Sequence, residues 1–157
     1  MPQISRHNQD LASLLSLTFS SLNQELHMRL NEMGFTDVRP AHGFLFQGLI
    51  PDGSTAKALV QHLGITKQAV SQMVDELEAR GYVARKPHPS DGRGKLIILT
   101  ERGWSVVRSK EKIYTEVEER WAKIIGHNRM KELHEDLLSI VNFTSEGNIP
   151  HRLRPVW

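Results

Sequence analysis

Apolar residues recur along most of this chain at steps of three and four, the spacing of one helix face. Residues 8 to about 33 hold Leu11, Leu15, Phe19, Leu22, Leu26 and Leu30 in that register, with Leu14, Leu17 and Met28 widening the stripe. This predicts a long amphipathic helix whose apolar face is broader than one neighbour covers, so that part of it meets another subunit. Residues 34–39 connect it to a second helix, which opens at Pro40, where a missing N–H costs nothing, and contains Phe44, Leu45, Leu49 and Ile50. Pro51, Asp52 and Gly53 end that helix and leave Ser54 as N-cap of a short third one, residues 54–62, with Ala58 and Leu59 inside and Leu63 just beyond. Gly64 and Ile65 then turn the chain into a fourth helix. Its buried side is Val70, Met73, Val74 and Leu77, its cap Thr66 and its stop Gly81.

At Tyr82 the pattern changes. Two short apolar runs, Tyr82 to Ala84 and Leu96 to Leu99, flank a segment holding Pro87, Pro89, Asp91, Gly92 and Gly94, which predicts a hairpin with a long tip. Thr100 is placed to cap the next helix, with Glu101 in its first turn. Gly103, also in that turn, lets the helix approach a neighbour closely. Trp104, Val107, Ile113, Tyr114, Val117, Trp121, Ile124 and Ile125 carry this helix to about Gly126, and a last helix uses Leu133, Leu137, Leu138, Ile140 and Val141.

Two helices joined by a short turn containing glycine, followed by a hairpin, make a winged helix-turn-helix. The expected fold is mainly α with a small antiparallel β wing. The expected organisation is an N-terminal helix of a dimerisation lobe (1–35), a winged helix-turn-helix DNA-binding domain (36–100) and the C-terminal helices of the lobe (101–157). A tail over residues 145–157, holding Arg152, Arg154 and Trp157, either embraces a partner subunit or lies in solvent.

Charge sharpens this picture. The net charge is +2, yet residues 57–110 carry ten Lys or Arg against five Asp or Glu, while both flanks are slightly negative. A basic middle points to a polyanion partner. The chain has no cysteine, which excludes disulfides, zinc fingers and thiol redox sensing. Its start, MPQISRHNQD, lacks the apolar core of a signal peptide, and no stretch is long and apolar enough to span a bilayer, so a cytoplasmic location without membrane contact is expected.

Lys67, Gln68, Ser71 and Gln72 point away from the core near the amino end of the fourth helix. Gln suits adenine, Ser several base edges, and Lys guanine or a phosphate. Asp75, one turn on, repels phosphate. On the hairpin, Arg85, Lys86, Arg93 and Lys95 are cations with a single acid, Asp91, beside them, and cationic tips suit phosphates and narrow minor grooves. Asp91 stands two residues before Arg93, close enough to orient its guanidinium. The eight histidines, His27, His42, His62, His127 and His134 among them, show neither HxxxH nor HExxH spacing, so no metal or cofactor is expected. No nucleophile elbow, Walker loop or dinucleotide-binding fingerprint occurs, and adjacent carboxylates such as Glu118 and Glu119 diverge on their helix, which argues against an enzyme.

The run L-E-A-R-G-Y-V-A-R at residues 77–85, then D-G-R at 91–93 and L-T-E-R-G at 99–103, resembles the multiple antibiotic resistance regulator (MarR) family in order and spacing. One departure is His88, where the family often has an acid before the wing proline. The resemblance implies a homodimer clasped through its terminal helices. It also implies a repressor on a pseudo-palindromic operator in double-stranded DNA, Asp91 and Arg93 linked on the wing, and a small aromatic or phenolic acid entering between the lobes. The alternatives are a winged-helix protein-interaction module and a metal-responsive regulator.

Overall fold

The computed structural model describes residues 10–144. Six helices and one two-stranded sheet follow in the order α1 (Leu11–Glu32), α2 (Pro40–Leu49), α3 (Ala56–Leu63), α4 (Lys67–Ala79), β1 (Val83–Pro87), β2 (Lys95–Leu99), α5 (Glu101–Ile125) and α6 (His127–Thr144). The mainly α fold with a small antiparallel wing is as the pattern predicts. Arg152, Arg154 and Trp157, expected to embrace a partner or lie in solvent, fall outside the described residues.

Local chemistry sets the boundaries. Asp10 caps α1 by accepting the N–H of Ser13, and the Thr66 and Thr100 side chains do the same for α4 and α5. Gly64 closes α3 in the left-handed conformation at φ 64°, and Gly81 follows α4 at φ 78°. One expectation is corrected here: Thr55, not Ser54, caps α3, its side chain accepting the N–H of Ala58. Ser54 is occupied elsewhere. Its backbone exchanges hydrogen bonds of 2.9 and 2.8 Å with Ile97, so the segment before α3 lies along β2 and ties the wing to the helices.

The hairpin is longer than its apolar runs suggest. Val83 faces Leu99 and the pairing continues out to Pro87 opposite Lys95, because polar residues extend a ladder as well as apolar ones while their backbones still pair. The core gathers Leu30 from α1, Leu45, Phe46 and Leu49 from α2, Leu59 and Leu63 from α3, Val70, Val74 and Leu77 from α4, Tyr82, Val83, Ile97 and Leu99 around the wing, and Val106, Ile113 and Val117 from α5. At the centre α5 comes so close to the wing's base that a Cβ on Gly103 would stand 2.2 Å from the carbonyl oxygen of Tyr82.

The two ends of the chain are different. Leu11, Leu14, Leu15 and Leu17 of α1 are exposed, and α6 has no buried residue although Leu133, Leu138, Ile140 and Phe143 lie on it. No helix among the described residues is long and apolar enough to cross a membrane.

Candidate nucleic-acid interface and adjoining cavity

The turn Gly64–Thr66 aims the amino end of α4 outward. Val70, Val74 and Leu77 hold one face of α4 in the core, and this leaves Lys67, Gln68, Ser71 and Gln72 exposed on the other. Beyond them the wing closes on itself. The N–H of His88 donates to Gly94 O at 3.0 Å, and the N–H of Gly94 to Asp91 O at 3.1 Å. Lys86, Arg93 and Lys95 are exposed on this hairpin, and together with Lys67 they have no ion-pair partner among the described residues. Four unpaired cations therefore stand along the exposed face of α4 and the wing.

Two predicted site residues have other occupations. Arg85 bridges back to α4, pairing with Glu78 and reaching Asp75 Oδ1 at 2.5 Å, while its backbone N–H donates to Glu78 Oε1 at 3.0 Å. Its work is to brace the wing's first strand against α4. Asp75, expected to repel phosphate, shares that guanidinium with Glu78. Asp91 meets Arg93 through the backbone: its Oδ1 accepts the Arg93 N–H at 3.0 Å, an Asx turn that shapes the tip. In this structure the carboxylate does not hold the guanidinium, a correction to the expected fork, because the short aspartate side chain reaches the nearest N–H first.

A polar network behind α4 joins partners that the sequence does not pair. At the start of α2 the His42 ring is fully buried, and its Nδ1 accepts the N–H of Arg39 at 3.1 Å. That contact assigns the ring proton to Nε2. Burial, with Arg39 next in effect, pushes its pKa down to about 4, so it is neutral near pH 7. The Arg39 guanidinium crosses to Glu76 on α4, Nη2 lying 2.7 and 2.5 Å from its two carboxylate oxygens. Arg80 holds the same carboxylate at 2.6 Å and donates to Asp37 O at 2.8 Å. Asp37 Oδ1 accepts the Tyr82 hydroxyl at 2.5 Å, which holds the carboxyl below its usual range; burial and the Asp37 contact push Tyr82 upward. These long-range partners meet only once the fold is formed, and Arg39 before Pro40 gives no hint of Glu76.

Between α1, α2 and α5 lies a cavity of about 570 Å³ with mainly apolar walls, Leu30, Phe44, Phe46, Val106 and Val107 among them. Asn23, Lys110 and Tyr114 line it too. The Asn23 Nδ2 is buried without a hydrogen-bond partner. The Lys110 ammonium stands 5.1 Å from the Tyr114 ring centre without an ion pair among the described residues, and burial draws its pKa below the usual lysine value. Unmatched donors in an apolar chamber suit a flat ligand with one anionic end. Among the described residues, no group of three His, Asp or Glu side chains is placed to hold a metal.

A family model described as the MarR family matches residues 48–94, from the end of α2 to the wing tip. No curated protein matches the chain. Solved structures do. Apo wild-type MarR from E. coli is 21% identical, covers 84% of this chain and 97% of its own, and superimposes with a TM-score of 0.65. A MepR variant from S. aureus bound to an oligodeoxyribonucleotide is 20% identical, covering 86% of this chain and 98% of its own at a TM-score of 0.60. The transcriptional repressor CouR, bound to a 23-mer DNA duplex, is 22% identical over 89% of this chain and 98% of its own, with a TM-score of 0.65. The matched segment spans the helix-turn-helix and most of the wing, and the chain around it has the fold of these winged-helix regulators.

Proposed function

We propose that this chain is a DNA-binding transcriptional regulator of the cytoplasm that acts as a homodimer on a pseudo-palindromic operator, and that a small aromatic acid in the cavity releases it, as in a ligand-responsive repressor. The observation that carries the reading is the set of unpaired cations, Lys67, Lys86, Arg93 and Lys95, beside exposed Gln68, Ser71 and Gln72 on one helix face and its wing. Polar side chains at a helix's amino end read base edges, and cations beside them hold phosphates. The two relatives solved with DNA support the same use of the fold.

A dimerisation lobe of residues 1–35 and 101–157 around a DNA-binding domain of 36–100 accounts for the exposed apolar ends. A helix such as α6, with no buried residue, gains little from its own packing and needs a second surface over Leu133, Leu138, Ile140 and Phe143. Two copies joined there would present their α4 helices to successive turns of a duplex, about 34–36 Å apart. Selecting bound fragments from random duplexes with the purified protein tests this: a site with two-fold symmetry is expected, and an unsymmetrical or absent consensus refutes it.

Arg93 sits on the exposed tip, where a narrow minor groove concentrates negative potential. Replacement by alanine is expected to weaken operator binding by on the order of 1–3 kcal/mol while leaving the melting temperature unchanged. Unaltered affinity in a mobility-shift titration would remove Arg93 from the interface.

A further inference from the structure

Arg39 belongs to two structures at once. It lines the cavity, and its guanidinium ties the start of α2 to Glu76 in the last turn of α4. The tie uses a single nitrogen. Nη2 faces both Glu76 oxygens and lies 3.4 Å from His42 Nε2, while Nε and Nη1 have no hydrogen-bond partner among the described residues. Glu76 is less dependent on Arg39 than the reverse, since Arg80 also holds it at 2.6 Å. A second carboxylate arriving from the cavity side therefore finds a guanidinium with unused donors, in a chamber that Lys110 also lines.

We propose that Arg39 is the positioning residue that couples the cavity to the recognition helix: an anion in the cavity takes its guanidinium from Glu76 and loosens the attachment of α4 to α2. The inference rests on the cavity being a ligand site, as proposed above, and adds the route by which occupancy reaches α4. His42 fixes the starting point of that route, because its Nδ1 holds the Arg39 backbone at 3.1 Å and leaves only the side chain to swing. Arginine suits the role, since its charge persists across the accessible pH range and its planar fork can meet one carboxylate while leaving another.

Coupling is reciprocal, so a ligand that weakens the Arg39–Glu76 contact must bind more tightly once that contact is gone. The probe is benzoate, titrated calorimetrically into the full chain, with amide hydrogen exchange read over residues 67–79. Glu76→Gln keeps the side chain's shape and an oxygen for Arg80 but removes the charge and one of the two oxygens that hold Arg39. It is expected to bind benzoate on the order of 5-fold more tightly than the wild type and to show, without ligand, the α4 exchange that the wild type reaches only with benzoate. Arg39→Met is expected to bind benzoate more weakly than the wild type and to lose the α4 response. Benzoate that raises α4 exchange as much in Glu76→Gln as in the wild type, or binds all three chains equally, overturns the coupling. A wild type that takes up no benzoate overturns the coupling and the cavity reading together. A wild type with the α4 response but no affinity for duplex DNA sinks the operator reading alone and leaves the coupling supported.

Discussion

Gly103→Ala is expected to destabilise the chain by on the order of 3 kcal/mol, lowering Tm by roughly 10 °C. Gly103 lies in the first turn of α5 with an ordinary helical backbone, so added conformational strain is not the cause. The cause is contact. A Cβ there would stand 2.2 Å from Tyr82 O and 2.9 Å from Leu99 Cδ2, and the first of these is backbone. That carbonyl is itself committed, accepting the N–H of Thr100 at 3.0 Å. Relief therefore means moving α5 off the base of the wing, which opens the packing around Tyr82 and Leu99. Gly43→Ala is the matched control: it too is a helical glycine, but its Cβ would meet nothing within 4 Å. There the gain in helix propensity is expected to leave the chain unchanged or up to about 1 kcal/mol more stable. Urea unfolding of the two variants, followed by tryptophan fluorescence, checks both, and equal stabilities would mean that α5 and the wing are not in contact at this point.

Gly103 also shows what a sequence can disclose. A glycine where helix propensity disfavours it, three residues after a capping threonine, signals a close approach without naming the neighbour. Elements whose signals are local were legible in this way: the caps at Thr66 and Thr100, the stop at Gly81, Pro40 opening α2, and the exposed row Lys67, Gln68, Ser71 and Gln72 opposite the apolar face of α4. What escaped depends on distances across the fold. Arg85 has the composition of a wing cation, but the strand returns along α4 and delivers it to Glu78 and Asp75. Ser54 and Thr55 are equally good caps by residue type, and the choice between them is made by Ile97, more than forty positions away, which claims the backbone of Ser54. The polar network around His42 and the Arg39–Glu76 contact joins residues 37–42 to residues 76–82; Arg80 and Tyr82 stand in the run 77–85, but nothing in that run names Asp37 or Arg39 as partners.

That buried histidine makes stability fall on mild acidification. The folded chain holds His42 neutral down to about pH 4, whereas the unfolded chain takes up a proton near the ordinary value of 6.5. Between those values the unfolded state binds more protons, so stability rises with pH; as pH falls below 6.5 it declines by up to about 1.4 kcal/mol per unit and levels off near 4. The full effect is about 3 kcal/mol, and about 2 kcal/mol of it is expected between pH 7 and pH 5. His27, whose pKa burial also draws down, adds in the same direction. The carboxyls of Asp37 and Glu116 are lowered as well, but their stabilisation is present above their unfolded values of 3.8 and 4.5 and fades only below these, so the interval from 6.5 to 5 belongs to the histidines. His42→Asn places an amide oxygen near the position of Nδ1, able to accept the Arg39 N–H, and removes the titration. Urea unfolding at pH 7 and pH 5 should show a markedly smaller decline for His42→Asn than for the wild type, the remainder being due to His27. An equal decline in both would show that His42 is as free to protonate in the folded chain as in the unfolded one. The same burial explains why His42 suits its place beside Arg39: a neutral ring anchors the start of α2 without competing with the guanidinium for Glu76.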